Sequence, residues 1–233
     1  MVILPNHLGV ILDGNRRWAK ARNLPPWKGH EAGAKKLEEF LKWCLELGIK
    51  QISVYTLSTE NIANRPKKEV REIFKLLYKY LEKWEKEEAG FLDKYEVRVR
   101  FIGDLNRLPK KLRKMLGKIM RKTAKYQKKV LNLLIAYGSK YELTYAFRKL
   151  AEKILKLGKI EISEKDIEEN LLIKEPVDLI IRTGGMHRLS NFLLYQAAYA
   201  EIYVTDTLWP DFSKKELLKA LKWFSSIKRN FGK

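Results

Sequence analysis

Arg182-Thr183-Gly184-Gly185-Met186-His187-Arg188-Leu189-Ser190 sets two arginines, a glycine pair, a histidine and a hydroxyl in one short stretch. It follows Val177 to Ile181, an apolar run that reads as a buried strand. Guanidinium forks grip phosphate oxygens in pairs, and glycines let backbone N–H groups approach closely. The pattern suits a phosphate or diphosphate.

A second cluster lies near the amino terminus. The apolar run His7 to Leu12 stops at Asp13-Gly14-Asn15-Arg16-Arg17-Trp18. An acidic residue at a strand end, then glycine and a helix start, can bind phosphate through a divalent metal. Asp13 would hold Mg²⁺, and the N–H groups of the following helix would meet the phosphates. An ordinary turn capped by Asp and Asn uses the same residues. Arg16 beside Arg17, with His30 after Gly29, weighs toward an anion site.

These residues need a frame. Strand-like runs recur at 7–12, 51–57, 96–102, 130–136, 177–182 and 201–205. Helical patterns fall at 31–47, 66–90, 110–128, 140–157, 164–171, 191–198 and 213–229, with a helix start after Asp13-Gly14. The alternation predicts an α/β fold, a single domain over 1–233 with a central, mostly parallel six-stranded sheet flanked by helices. In open α/β sheets the ligand crevice lies outside the carboxyl ends of the strands, where Asp13, Ser58 and Arg182 all fall.

Val10 to Ala19, Lys28-Gly29-His30-Glu31-Ala32-Gly33-Ala34, Ser58-Thr59-Glu60-Asn61 with Arg65-Pro66, and the 182–201 stretch resemble the cis-prenyltransferases, the undecaprenyl diphosphate synthase family. The resemblance runs from about His7 to Gly232, and the chain looks similar to archaeal forms. It implies elongation of an allylic primer, farnesyl or geranylgeranyl diphosphate, with isopentenyl diphosphate to a long polyprenyl diphosphate, a glycosyl carrier lipid precursor. It gives Asp13 the catalytic and Mg²⁺ role, with Glu201 as second metal carboxylate and His187 helping through water. Gly14, Asn15, Arg16, Arg17, Trp18 and His30 would surround the allylic diphosphate. Arg182, Arg188, Leu189 and Ser190 would hold isopentenyl diphosphate. Ser58, Thr59, Glu60 and Asn61 would lie near the reacting carbons, with Arg65 adding a cation. A neutral amide is a poor base, so Asn61 reads as an orienting or relaying group. The resemblance also implies a homodimer and a hydrophobic tunnel.

Two apolar stripes bear on the tunnel: Leu37, Phe40, Leu41, Cys44 and Leu45, then Val70, Ile73, Phe74, Leu76, Leu77, Tyr80, Leu81 and Trp84. Plain core packing explains either stripe equally well, and spacing does not separate walls from core. The chain departs from the family pattern at Pro26, Ile62-Ala63, Ser139, Met186 and Asn230. Met186 stands where glutamate is usual, and Asn230 where an arginine helps bind isopentenyl diphosphate across the dimer. These losses point mildly to an alternative, a non-catalytic isoprenoid-diphosphate-binding subunit of a heteromeric enzyme. Retention of Asp13, Asn15, Arg17, Arg182 and Arg188 points to a catalyst.

At 233 residues and 45% hydrophobic, the chain fits one domain with a real core. The lone Cys44 excludes an internal disulfide and fits a reducing cytoplasm. Residues 1–7 lack the pattern of a secretion signal, and no apolar run is long enough to span a bilayer. The net charge is +20, and 105–141 contains no Asp or Glu. Leu112, Met115, Leu116, Ile119 and Met120 recur there at helical spacing, a basic amphipathic helix. A solvated face and peripheral contact with an anionic membrane both fit. No nucleic-acid-binding signature accompanies the charge, so no nucleic acid is expected. No water-activating metal cluster or nucleophile motif suggests a phosphohydrolase.

Overall fold

The structure, a computed structural model, describes residues 2–86, 90–158 and 161–229. The strands are β1 His7–Ile11, β2 Gln51–Ser58, β3 Val97–Ile102, β4 Lys129–Tyr137, β5 Leu179–Arg182 and β6 Glu201–Val204. The helices are α1 Asn15–Lys20, α2 Pro26–Leu47, α3 Thr59–Asn64, α4 Lys67–Lys86, α5 Phe91–Lys94, α6 Lys110–Thr123, α7 Ser139–Leu157, α8 Glu164–Asn170 and α9 Lys214–Ser226. The sheet order is β3-β4-β2-β1-β5-β6. Every pairing is parallel, in keeping with the expected mostly parallel six-stranded sheet.

Local chemistry sets the ends of these elements. Pro26 opens α2, five residues before the expected start, because proline suits the first helical turn. Gly48, at φ 92°, closes it in the left-handed conformation that glycine adopts without strain. Pro66 divides α3 from α4 by forcing Arg65 into extended backbone at ψ 152°. Ser213 and Glu216 form a capping box that starts α9. The α6 helix ends at Thr123 and α9 at Ser226, each short of the expected bound. The last residues of the expected 66–90 helix include 87–89, which lie outside the described residues.

The helix expected over 191–198 is absent; the segment is a series of turns. Ser190, Asn191 and Leu193 have φ of 51°, 64° and 44°, incompatible with a right-handed helix. Asn191 instead serves the start of α7. Its carbonyl accepts from Ser139 N at 2.8 Å and its Oδ1 from Lys140 N at 2.9 Å. Two N–H groups that a helix start leaves orphaned are thereby satisfied.

Buried side chains pack on both faces. One core joins the sheet to α2, α4, α6 and α9 around Phe40, Leu112, Leu116, Trp209 and Phe212. The other packs Ile180, Tyr137 and Ile11 beneath Phe192 and Leu193 of the turn segment. Helix α1 lies directly on α2. A Cβ on Gly29 would collide with the Asn15 carbonyl, and one on Gly33 with the Asn15 side chain. The glycines thus seat the Asp13 loop against the sheet.

Candidate active site

β1 lies between β2 and β5, so the residues after these strands meet at one place. Arg182 ends β5 opposite Ile11, two residues before Asp13. It donates through Nη2 to Asp13 Oδ2 at 2.7 Å and through Nη1 to Ser190 Oγ at 2.9 Å. Nη1 also donates to the Arg188 carbonyl. Arg17 Nη2 donates to the other Asp13 oxygen at 3.2 Å. The backbone of Asp13 is pinned as well, its carbonyl accepting from Thr183 Oγ1 at 2.7 Å and Trp209 N at 3.0 Å. Arg182 is 3% exposed, and its Nε has no partner. Its Nη groups meet Asp13 and Ser190 at the cavity mouth, while Nε is buried away from solvent.

A second cationic group forms across the mouth. Ser58 caps α3 by accepting from Asn61 N at 3.0 Å. Asn61 Oδ1 accepts from Arg65 Nε at 3.1 Å. Arg65 Nη1 reaches Glu69 Oε1 at 3.2 Å, and His30 Nε2 lies 3.0 Å from the same oxygen. Burial lowers the His30 pKa and outweighs the pull of Glu69. Burial likewise lowers the Arg65 pKa, against the attraction of Glu69.

Between the two groups opens a cavity of about 630 Å³. Asp13, Asn15, His30, Ser58, Glu60, Asn61, Arg65, Arg182 and Ser190 line its polar mouth. Its walls are Leu37 and Leu41 of α2, Leu76, Leu77 and Trp84 of α4, and Phe101 and Leu133 of the sheet. The two apolar stripes therefore divide. Phe40, Cys44 and Leu45 are core, whereas Leu37 and Leu41 face the cavity. On α4, Ile73, Tyr80 and Leu81 also line it, while Val70 and Phe74 do not.

Other expected residues fall around this mouth or away from it. Gly14 has φ 113° and packs against Leu208, a loop role. Arg16 stands beside the second group, 3.8 Å from Glu69. Thr59 Oγ1 donates to Glu60 at 3.0 Å, just outside the cavity wall. His187 and Arg188 are exposed, and Leu189 packs on the second core. Trp18 does not line the cavity; its indole N–H donates to Asp211 at 2.7 Å, under the Arg22 guanidinium. Glu201 does not join Asp13 within one protomer. It pairs with Leu179 at the amino end of β6, whereas Asp13 lies beyond the carboxyl end of β1. Its nearest cation is Arg229, at 4.0 Å. Asn230 lies outside the described residues.

Several site residues were not singled out from sequence. Tyr55 donates to the Ser190 carbonyl at 3.2 Å and holds that turn. Asn191 Nδ2 donates to Glu60 at 2.8 Å. Buried Glu142 accepts from Tyr137, from Gln196 at 3.1 Å and from Ile173 N at 2.9 Å, anchoring the turn segment from behind. Four-residue spacing of Asn61, Arg65 and Glu69 was the available signal for Glu69.

The donor set fits Mg²⁺ of one kind only. No group of three His, Cys, Asp or Glu side chains forms a metal cage among the described residues. Asp13 presents a partly exposed carboxylate between the Arg17 and Arg182 guanidinium groups. Mg²⁺ commonly binds through one or two carboxylates, waters and substrate phosphates.

Residues 11–232 match the prenyltransferase family model described as undecaprenyl diphosphate synthase. The chain is 42% identical to the tritrans,polycis-undecaprenyl-diphosphate synthase (geranylgeranyl-diphosphate specific) of Methanopyrus kandleri, over 99% of this chain and 85% of that one. It is 43% identical to the isoprenyl transferase of Aquifex pyrophilus, over 99% and 96%. The crystal structure of lavandulyl diphosphate synthase from Lavandula x intermedia in complex with dimethylallyl diphosphate superposes with a TM-score of 0.92, at 32% identity and 99% coverage of both chains.

Proposed function

The chain belongs to the undecaprenyl diphosphate synthase family of prenyltransferases, and from that premise we propose that it elongates geranylgeranyl or farnesyl diphosphate with isopentenyl diphosphate to a long cis-polyprenyl diphosphate. The observation that carries this reading is the cavity of about 630 Å³, cationic at its mouth and walled by apolar side chains beyond it. A growing isoprenoid needs volume and greasy walls and no polar partner. The lavender relative was solved with dimethylallyl diphosphate, a short ligand that would leave most of such a cavity empty. The name of the Methanopyrus relative favours geranylgeranyl diphosphate as primer.

In this reading His30, Arg65 and Arg16 receive the allylic diphosphate, with the primer tail in the cavity. Arg182, Arg188 and Ser190 hold isopentenyl diphosphate. The allylic C–O bond breaks to release diphosphate, the isopentenyl double bond attacks the allylic carbon, and a proton passes from the isopentenyl unit to an oxygen of the released diphosphate, giving the cis alkene. Asn61, held by Arg65, orients the reacting groups near that proton. The guanidinium groups stabilise charge on the departing diphosphate. Mg²⁺ held by Asp13 and a diphosphate would offset the same charge.

Two partners belong to the proposal. Tyr199 is 64% exposed and Ile202 45% exposed on the edge strand and its approach, with Phe147 at 52% on α7. This apolar surface suits a homodimer, in which Glu201 could act from across the interface. The basic face of α6 suits peripheral contact with an anionic bilayer that accepts the product. The test of the central reading is incorporation of labelled isopentenyl diphosphate with Mg²⁺ and either primer. A ladder ending at a defined length is expected; no incorporation by folded protein would reject it.

A further inference from the structure

Glu69 sits in the first turn of α4 and is only 4% exposed. Its Oε1 lies 3.0 Å from His30 Nε2, 3.2 Å from Arg65 Nη1 and 3.8 Å from Arg16 Nε. Groups of anion-binding type from α1, α2 and the α3–α4 junction thus converge on one carboxylate oxygen. Desolvating a carboxylate is costly, and an apolar side chain of similar size often serves stability as well. In a site that receives diphosphate, it also reduces the positive charge offered to the ligand. Stability alone therefore accounts poorly for it.

The contacts are also mutually unsuited. His30 Nε2 lies 3.0 Å from Glu69 Oε1 and 3.1 Å from Arg65 Nη1. A protonated Nε2 donates to Glu69 and opposes the guanidinium; a bare Nε2 accepts from Arg65 and opposes the carboxylate. No tautomer of neutral His30 satisfies both neighbours. The conflict resolves when Arg65 turns to an anion from outside, leaving the Nε2 proton to Glu69.

We propose that Glu69 is a positioning residue, an internal counter-ion that holds Arg65, His30 and Arg16 between turnovers and competes with diphosphate for them. The contacts keep the three groups arranged when the site is empty, and the competition speeds loss of the diphosphate released in each condensation. Because Arg65 Nε also holds Asn61 at 3.1 Å, the same carboxylate fixes the α3–α4 junction. The inference rests on the prenyl-transfer reading.

Glu69→Gln keeps size and removes charge. Inorganic diphosphate binding to wild type and variant is measured by calorimetry, alongside kcat and KM for the primer. Binding is expected to tighten roughly threefold to tenfold in Glu69→Gln. KM for the primer should fall and kcat should fall with it, as release slows. Glu69→Asp draws the carboxylate back by one methylene and should fall between the two. It carries the test alone should Glu69→Gln not fold, with diphosphate affinity at or below wild type overturning the proposal. Unchanged or weaker diphosphate binding in Glu69→Gln, or a raised KM, overturns it as well, because a purely structural role predicts those results. Elongation by wild type is scored separately, so failure of the chain-elongation reading is distinguished from failure of the counter-ion role.

Discussion

Arg182 Nη2 donates to Asp13 Oδ2 at 2.7 Å, joining the ends of two neighbouring parallel strands. One partner is nearly buried and the other partly exposed. Asp13 is thus held by a buried cation. Asp13→Ala is expected to lower kcat by at least about a hundredfold, as loss of a transition-state electrostatic group does. It also strands a buried guanidinium, a penalty of up to roughly 3–5 kcal/mol. The variant should therefore melt lower while circular dichroism stays native. Near-normal turnover would remove Asp13 from the chemistry.

The cavity and the core make opposite demands on neighbouring α2 and α4 residues. Phe40 is fully buried, with Trp209 at 5.4 Å and Phe212 at 6.0 Å between ring centroids. Phe40→Ala should cost about 3–5 kcal/mol, as large core truncations do, with little change in product length. Leu77 faces the cavity, and Leu77→Trp should shorten the product ladder with a smaller change in melting temperature. Thin-layer separation of labelled products, beside thermal melts, reads both. A ladder unmoved by Leu77→Trp would place the growing chain elsewhere.

The six strands are legible in sequence as strand-like runs, and the carboxyl-end site because Asp13, Ser58 and Arg182 fall at the ends of three of them. The 191–198 segment was misread because Phe192, Leu193 and Gln196 have helical spacing but are buried by a turn with left-handed residues. Periodicity reports which side chains are buried, not the backbone that buries them. Leu41 and Phe40 are adjacent and equally apolar, so only packing against Trp209 and Phe212 assigns Phe40 to the core. Glu69 is an acid in the first turn of α4, and only the fold brings His30 and Arg16 to it beside Arg65.

His7 is buried at the amino end of β1, with Nε2 2.7 Å from Ser53 Oγ and Nδ1 3.0 Å from the Pro176 carbonyl. Burial lowers its pKa, against the Pro176 contact and the charges of Glu175 and Asp178. An unfolded histidine takes a proton below about pH 6.5, while the folded one stays neutral to lower pH. The unfolded state binds more protons in that window, so stability falls as pH drops from about 6.5 toward the folded value. Urea midpoints at about pH 7.5 and 5.5 should show this loss, and His7→Gln should reduce it. His30 adds a term of the same sign. An equal loss in His7→Gln would assign the effect to other groups.

Exposed Tyr199 and Ile202 lie on and beside an edge strand, a position that proteins usually protect. Ile202→Asp should therefore weaken a homodimer, read as a lower mass by light scattering at micromolar concentration. If Glu201 serves the partner's site, elongation should fall with dissociation. A wild-type monomer with full activity would reject both statements.

The basic face gives the last prediction. Lys110, Lys111, Arg113, Lys114 and Arg121 are exposed on α6, within a segment that has no acidic residue. The helix flanks the far end of the cavity, where Lys122 Nζ donates to the Trp84 carbonyl at 3.4 Å and Lys118 pairs with Glu85 at 2.8 Å. A polyprenyl chain moved into water costs about 0.8 kcal/mol per CH₂, so release needs an apolar acceptor close by. A cation near an anionic bilayer contributes about 1 kcal/mol. Lys110→Glu, Lys111→Glu and Lys114→Glu together should weaken binding to phosphatidylglycerol vesicles by at least about a hundredfold. Binding to phosphatidylcholine should be weak for both proteins, and diphosphate affinity should be unchanged. Equal sedimentation of wild type with anionic and neutral vesicles would leave the charge as a solvated face.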